Sequence, residues 1–485
     1  MGTNRGEPKR NRHHGIRPEP MSGAGREGAE PAPRHPDSSG PGRYGEPVSN
    51  HDAEPASGAP EDMEHQEVER HASWAELFFD LVAVAAVASL AHLLATELDW
   101  TSLGLYAVLF LATWLAWTTF MLYGNVAGTR THVLRLLIGM FGLGVMAASV
   151  PGVTHSLLEG GHDSAAVRAF TIAYVVTRVY GAQSWRRGEV LLDFPVAQHT
   201  VGVLPWVVSL WTHPPVTVAL WALGVAVDLW LVLVVSGTDM LERYENRVSA
   251  VVDREERAQR RAPRGGRAGG RPRGPDAVRQ AFQVVPVMTD PAHLAERLGL
   301  FVIIVLGEGV VQVVDAASQA APETGLFLAG LASFVLLAGM FGLSVQYGFA
   351  GVPHLRAGAV PARLGLALHC VVTGVIATVS VGLASVVEHG NEPLDTGPRW
   401  LLCGAVAAYF LIGQLVAIRV GGGAGAARTL WISSGVVVPV LLGLLGAPLP
   451  ATLVTGLVAA VVVSQVAVEA RAERRPAHEG VAEPA

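Results

Sequence analysis

The sequence predicts an all-α, polytopic membrane protein with about twelve transmembrane helices. The 485-residue chain is 50% hydrophobic and only 16% charged, whereas soluble domains carry about 25% charged residues. Apolar runs of about twenty residues recur along the chain, and each is long enough to cross a bilayer core of about 30 Å. Arginines occur in every second loop between these runs. Together these features exclude a soluble enzyme, a secreted disulfide-bonded module and a nucleic-acid-binding domain.

The composition divides the chain into five segments. Residues 1–72 are polar and rich in Pro, Gly, Glu and Arg, which predicts a disordered cytoplasmic tail. They contain no apolar stretch of the signal-peptide type, so we expect the first hydrophobic run to act as the insertion signal. Residues 73–235 and 298–470 each predict a membrane half of about six helices. Residues 236–297 form a charged, Arg/Gly-rich cytoplasmic loop, and residues 471–485 form a cytoplasmic tail.

The apolar runs set the predicted spans in order. They cover residues 76–96, 103–123, 133–151, 165–184, 196–212, 216–235, 298–316, 325–346, 363–386, 399–419, 429–447 and 450–469. If the two halves are duplicates, they are parallel repeats, because each half begins and ends on the same side of the membrane. Within the central loop, residues 261–275 read RAPRGGRAGGRPRGP. This segment predicts a solvated linker, with contact to RNA or anionic lipid as the alternative.

Arginine placement predicts the orientation. The loops at 97–102, 152–164 and 317–324 contain no arginine or lysine, whereas the intervening loops contain several arginines. Because basic residues stay on the cytoplasmic side, both termini are expected in the cytoplasm of a protein of the cell membrane.

No sequence signal indicates an enzyme. Cys370 and Cys403 both lie within apolar runs, with no disulfide framework and no zinc spacing. The chain has no phosphate-binding glycine loop, no serine-hydrolase motif and no zinc-protease motif. We therefore expect no cofactor, no bound metal and no catalytic residue.

Two carboxylates lie near the start of the first span. Glu76 and Asp80 are four residues apart and so share one helix face. A charge inside the bilayer costs at least about 2.5–3.5 kcal/mol, so we expect each of these carboxylates to have a structural or functional role. The pair predicts a cation or proton site or half of an ion-pair cluster. For Glu76 the alternative is a solvated helix start, because Ser73 and Glu76 fit a capping box.

Glu308 lies ten residues into the seventh predicted span, about 15 Å deep by helical rise. It stands between Gly307 and Gly309, which permit close approach of a neighbouring helix. The functional interpretation is a buried ion or proton site. The alternative is a protonated carboxyl group that satisfies a neighbouring helix.

Asp228 is a further carboxylate deep in the sixth span, and we group it with Asp80, Glu308 and Glu76 as candidate ion-binding residues. Arg135, Arg178 and Arg297 are their candidate ion-pair partners. His369 is interpreted as a satisfied core histidine. Trp114 and Trp117 lie at mid-helix, where packing is the first interpretation and an aromatic cavity lining is the second.

Two stretches resemble a known family. The segment Ser73-Trp-Ala-Glu76-Leu-Phe-Phe-Asp80-Leu-Val is similar to the S-W-x-E-L-F-F-D-L-V opening of the bacterial low-temperature-requirement A (LtrA) family. The segment Glu296-Arg297-Leu-Gly-Leu-Phe-Val-Ile-Ile-Val-Leu-Gly-Glu308 is similar to its second block, E-R-F-G-L-F-x-I-I-x-L-G-E. The end of the eighth span, residues 343–349, lacks the tryptophan-rich ending of that family. The resemblance implies a polytopic membrane protein named for a cold-growth phenotype, but it implies no reaction.

Three functions fit these features. Transport or permeation of an ion, a proton or a small solute would use the intramembrane carboxylates, and Glu308→Gln or Asp80→Asn would then abolish activity while preserving the fold. A structural or regulatory protein in cold adaptation would use them only for packing. A membrane-embedded lipid-modifying enzyme would need clustered polar residues outside the membrane, where the loops are short. The expected partners are the lipid bilayer and a small ion or solute, and no nucleic acid.

Overall fold

The computed structural model describes residues 71–96, 99–158, 164–185, 189–235, 285–349, 362–419 and 426–473, with scattered positions between 238 and 257. The predicted N-terminal tail, except residues 71 and 72, lies outside the described residues. The Arg/Gly segment at 261–275 and the C-terminal tail beyond residue 473 also lie outside them.

The first half of the described chain is helical, apart from two short turns and one strand. Its helices are α1 (Trp74–Thr96), α2 (Trp100–Ala127), α3 (Val133–Leu157), α4 (Ser164–Ala182), α5 (Val203–Ser209) and α6 (Val216–Val234). Single 3-10 turns cover Gly128–Arg130 and Pro195–Gln198, and strand β1 covers Glu189–Leu191. Asp99 caps α2 by accepting the backbone N–H of Ser102 at 2.7 Å, and this hydrogen bond lowers the pKa of the Asp99 carboxyl.

The second half begins with strand β2 (Val285–Val287), which pairs in parallel with β1. Its helices are α7 (Pro291–Gln319), α8 (Thr324–Phe341), α9 (Ala362–His389), α10 (Thr396–Arg419), α11 (Ala426–Leu445) and α12 (Ala451–Glu473). One π-helical turn, Gly342–Gln346, extends α8.

Two predicted spans differ from the observed helices. The span predicted at 196–212 is a 3-10 turn followed by the seven-residue helix α5, which is only about 10 Å long by helical rise. Helix α7 begins at Pro291 rather than at residue 298. Asp290 caps it by accepting the backbone N–H groups of Ala292 and His293, and proline is favoured at the first helical position.

Among the described residues, nine helices are long and apolar enough to cross a membrane. The other three helices fall short: α5 has seven residues, α4 carries two arginines, and the apolar stretch of α11 is limited to Ser433–Leu445. The chain is therefore an all-α polytopic membrane protein, while the number of twelve spans stays a prediction. Large apolar side chains lie exposed on one face of α8, as expected for contact with lipid: Phe327, Leu331 and Phe334.

The two halves show similar helix packing. Helix α1 packs on α3, and α3 packs on α4; in the second half, α7 packs on α9, and α9 packs on α10. Helix α1 also packs on α7 and α9 and so links the halves. The interpretation of the two halves as repeats stays a prediction.

Candidate functional site

Asp80 and Arg297 form a two-point ion pair in the interior between α1 and α7. Arg297 Nε donates to Asp80 Oδ2 at 2.8 Å, and Arg297 Nη2 donates to Asp80 Oδ1 at 2.6 Å. Trp117 on α2 donates its indole N–H to the same Oδ1 at 2.8 Å. Both charged side chains are fully buried. The predicted partner of Asp80 on another helix is therefore Arg297.

Glu76 joins the same cluster one helical turn earlier. Its Oε1 lies 3.3 Å from Arg297 Nη1, and its Oε2 lies 3.6 Å from His293 Nε2. The capping box is also present, because Glu76 Oε2 accepts the backbone N–H of Ser73 at 2.9 Å and Ser73 Oγ accepts the backbone N–H of Glu76 at 3.3 Å. Glu76 is nevertheless buried, so it is not the solvated helix start that the capping box alone suggests.

Asn125 fixes the proton position on His293. The Asn125 side chain accepts the backbone N–H of Asp290 at 2.8 Å through Oδ1 and donates to the Asp290 carbonyl at 3.1 Å through Nδ2. These two bonds set the orientation of the amide group. Nδ2 therefore also donates to His293 Nδ1, 3.2 Å away. In the neutral ring the proton is then on Nε2, which faces Glu76.

The two segments with recognisable motifs contact each other at a second place. Glu296 Oε2 accepts the backbone N–H of Ala72 at 3.1 Å, and Glu296 Oε1 lies 3.5 Å from His71 Nδ1. The starts of α1 and α7 are thus joined by two sets of contacts. Acidic Glu76 and Asp80 of α1 contact basic groups of α7, and acidic Glu296 of α7 contacts His71, just before α1.

An aromatic layer lies against the Asp80 cluster. The Trp117 ring centroid is 4.3 Å from that of Phe301 and 5.7 Å from that of His369. Trp114 donates its indole N–H toward His369 Nδ1 at 3.5 Å, and His369 Nε2 lies 3.2 Å from the Leu298 carbonyl. These side chains are buried, which fits the packing interpretation of the helix α2 tryptophans.

Arg178 and Asp228 form a second buried ion pair, between α4 and α6. Arg178 Nη2 lies 3.1 Å from Asp228 Oδ2, and both side chains are fully buried. Arg178 Nη1 donates to Thr119 Oγ1, and Tyr174 Oη donates to Asp228 Oδ2 at 3.5 Å. The pair has hydrogen-bond partners on α2 and α4, so it resembles a packed structural ion pair.

Glu308 lies apart from both ion pairs. It follows Arg297 by eleven residues on α7, a separation of about 16 Å along the helix axis. Because α7 covers Pro291–Gln319 and is longer than the predicted span, Glu308 lies about 25 Å from its first residue and about 16 Å from its last residue. Glu308 is therefore closer to the C-terminal end of α7. Gly309 permits close packing next to it, because a Cβ atom there would lie 2.5 Å from Ser380 Oγ on α9. Gly307 faces open space.

Glu308 lines an acidic groove of about 280 Å³ between α7 and α9. The α7 side chains follow helical spacing, and α9 supplies the opposite wall. The polar lining residues are Glu308, Gln312, Asp315, Gln319, Ser385 and Glu388. Gln312 Nε2 donates to Glu308 Oε1 at 3.4 Å. Three carboxylates and no arginine, lysine or histidine line the groove, so its lining favours a cation.

The structure thus brings some predicted residues together and separates others. Asp80, Glu76 and Arg297 share one cluster, Asp228 pairs with Arg178, and Glu308 lies in the acidic groove. Within the described part of the chain, Arg135 contacts none of the four carboxylates predicted to bind an ion. It donates a hydrogen bond to the Ser184 carbonyl and lies over the Tyr123 ring. Within the described part of the chain, no group of three or more His, Cys, Asp or Glu side chains could hold a metal ion.

His293 and Asn125 belong to the Asp80 cluster, although the sequence did not indicate them. The overlooked signal is the Asp290-Pro291 pair, which is typical of a helix start. A helix starting there places His293 and Arg297 four residues apart on one face.

Comparison with known proteins identifies the family. The family model described as bacterial low temperature requirement A protein (LtrA) matches residues 71–467. The chain matches none of the curated proteins and none of the solved structures with which it was compared. The match includes the Asp80 cluster, the Arg178–Asp228 pair and the acidic groove, and it extends over most of the chain. The protein therefore belongs to the bacterial low temperature requirement A (LtrA) family.

Proposed function

We propose that the protein conducts a small cation or a proton across the membrane, and that the acidic groove is its binding site. The observation that carries this proposal is the lining of the groove: Glu308, Asp315 and Glu388 face a space of about 280 Å³ without a cationic side chain among the lining residues. Acidic side chains in a membrane segment are costly and commonly mark ion or proton pathways.

The positions of these carboxylates fit a path rather than one closed site. Asp315 and Glu388 are exposed, whereas Glu308 is half-buried and lies deeper along α7. Seven residues separate Glu308 from Asp315, or about 10 Å along the helix. A cation entering at Asp315 and Glu388 would meet Gln312 and then Glu308. By the arginine pattern, this opening faces the outside of the cell.

Asp80 has a different role in this proposal. Its carboxylate already receives three hydrogen bonds, from Arg297 and Trp117, so little capacity is left for an ion. We assign Asp80, Glu76 and Arg297 to holding α1 against α7. Asp228 has the corresponding role with Arg178.

The second candidate function is a structural or regulatory membrane protein without transport. The two buried ion pairs favour it, because both are engaged in hydrogen bonds within the helix bundle. The acidic groove distinguishes the candidates, since a purely structural protein has no need for it.

Reconstitution into liposomes tests the proposal. The full chain is incorporated into vesicles, and proton flux, sodium uptake and rubidium uptake are followed under an imposed membrane potential. We expect flux of at least one of these cations above the level of protein-free vesicles. Absence of all three fluxes in vesicles that hold correctly folded protein would favour the structural function.

A further inference from the structure

A second pocket, of about 380 Å³, lies where the end of α2, the start of α3 and the end of α4 meet. It shares no lining residue with the acidic groove or with the two buried ion pairs. Its polar and aromatic lining residues are Tyr123, Arg130, His132, Arg135, Ser184, Trp185 and Glu189. Two guanidinium groups and one imidazole therefore face one carboxylate.

The pocket also offers hydrogen-bond donors. Arg135 lies 5.6 Å from the Tyr123 ring centroid and donates to the Ser184 carbonyl. A guanidinium group has five N–H donors, so Arg135 keeps others for a ligand. Arg130 is exposed and lines the same pocket, so its N–H donors are also open to a ligand.

The apolar surface beside the pocket indicates where that anion comes from. In the first two turns of α3, Val133, Leu134 and Leu137 are exposed, Leu134 by 67%. Such side chains on a membrane helix face acyl chains. Tyr123 and Trp185 provide the aromatic residues that are common at the level of lipid headgroups.

We propose that this pocket binds the phosphate-bearing headgroup of an anionic phospholipid. Arg130 and Arg135 contact the phosphate oxygens, and the acyl chains lie along the exposed face of α3. Basic pockets between membrane helices on the cytoplasmic side are known to take such headgroups. The arginine pattern places this end of α2 on that side.

Native mass spectrometry of the detergent-purified full chain tests the proposal. The protein is titrated with phosphatidylglycerol and, separately, with zwitterionic phosphatidylcholine. The variants are Arg130→Gln and Arg135→Gln. Arg168→Gln is the matched control, because Arg168 is exposed and lines a different cavity.

We expect phosphatidylglycerol to bind in preference to phosphatidylcholine. Each arginine variant should weaken phosphatidylglycerol binding about fivefold, which corresponds to about 1 kcal/mol per cationic charge near the membrane surface. Arg168→Gln should bind as the wild type does. Unchanged binding by Arg130→Gln and Arg135→Gln would overturn the proposal. Displacement of the lipid by millimolar inorganic phosphate would also overturn it, because the site would then accept a free anion.

Discussion

Arg297 on α7 holds Asp80 on α1 through two hydrogen bonds, at 2.8 and 2.6 Å. This pair joins the two sequence segments that carry the family resemblance, although 217 residues separate the partners. Since α1 belongs to the first half of the chain and α7 to the second, the pair is a direct link between the halves. Both motifs therefore have a shared structural reason: each supplies one partner of a buried ion pair.

This geometry changes the expected effect of Asp80→Asn. The sequence alone suggested that this variant would preserve the fold, but it leaves the buried Arg297 with only the Glu76 carboxylate. Breaking a buried ion pair costs about 3–5 kcal/mol, and the Glu76 contact places the expected loss near the lower end. We expect a reduced unfolding temperature in detergent and reduced abundance in the membrane.

The triple variant Glu76→Gln/Asp80→Leu/Arg297→Met tests whether the cluster only balances charge. It removes all three buried charges, because Glu76 also contacts Arg297, and apolar replacement of a buried ion pair is often neutral. The Trp117 N–H loses its acceptor, which costs about 1–3 kcal/mol. We expect the triple variant to be more stable than Asp80→Asn in the same thermal assay. A triple variant that is less stable would show that the cluster does more than balance charge.

Gly224 on α6 supplies a test of close helix packing. A Cβ atom there would lie 2.5 Å from the Gly202 carbonyl oxygen and 2.5 Å from Trp206 Cδ1. We expect Gly224→Ala to destabilise the protein by about 1–3 kcal/mol. The matched control is Gly144→Ala on α3, where no atom lies within 4 Å of the new Cβ. The control should be neutral or slightly stabilising, because alanine favours helix. Equal thermal stability of the two variants would contradict the packing of α5 and α6.

Cysteine labelling tests the predicted orientation. Thr101 and Thr129 lie exposed at opposite ends of α2, and the native Cys370 and Cys403 are buried. In a background with both native cysteines replaced by alanine, an impermeant maleimide should label Thr101→Cys in intact cells. Thr129→Cys should react only after permeabilisation. The reverse pattern would invert the topology, and labelling of both in intact cells would show that α2 does not span the membrane.

The sequence predicted the features that depend on local pattern. Apolar length indicated the long helices, and the spacing of Ser73 and Glu76 indicated the capping box that the structure contains. The four-residue spacing of Glu76 and Asp80 indicated that both carboxylates share one helix face, and both contact Arg297. These inferences need only residue spacing, which the sequence provides directly.

The features that the sequence did not predict depend on tertiary structure. The start of α7 was predicted seven residues too late, because His293, Glu296 and Arg297 interrupt the apolar run. That polar stretch is buried against α1 rather than exposed in a loop. The pairing of Arg178 with Asp228 and the separation of Glu308 from Asp80 depend on which helices are neighbours. Hydropathy carries no information about that arrangement.

The variant Glu308→Gln tests most directly whether Glu308 in the acidic groove binds the permeating cation. Removing a carboxylate about 4 Å from a cation removes about 4 kcal/mol of attraction at an effective dielectric constant of about 20. The matched control is Glu323→Gln, because Glu323 is exposed and does not line the groove. Cation flux is measured in liposomes with equal amounts of folded protein. We predict that Glu308→Gln lowers the flux at least about tenfold, equal to about 1.4 kcal/mol, while Glu323→Gln keeps the wild-type rate. A wild-type rate in Glu308→Gln would contradict the claim.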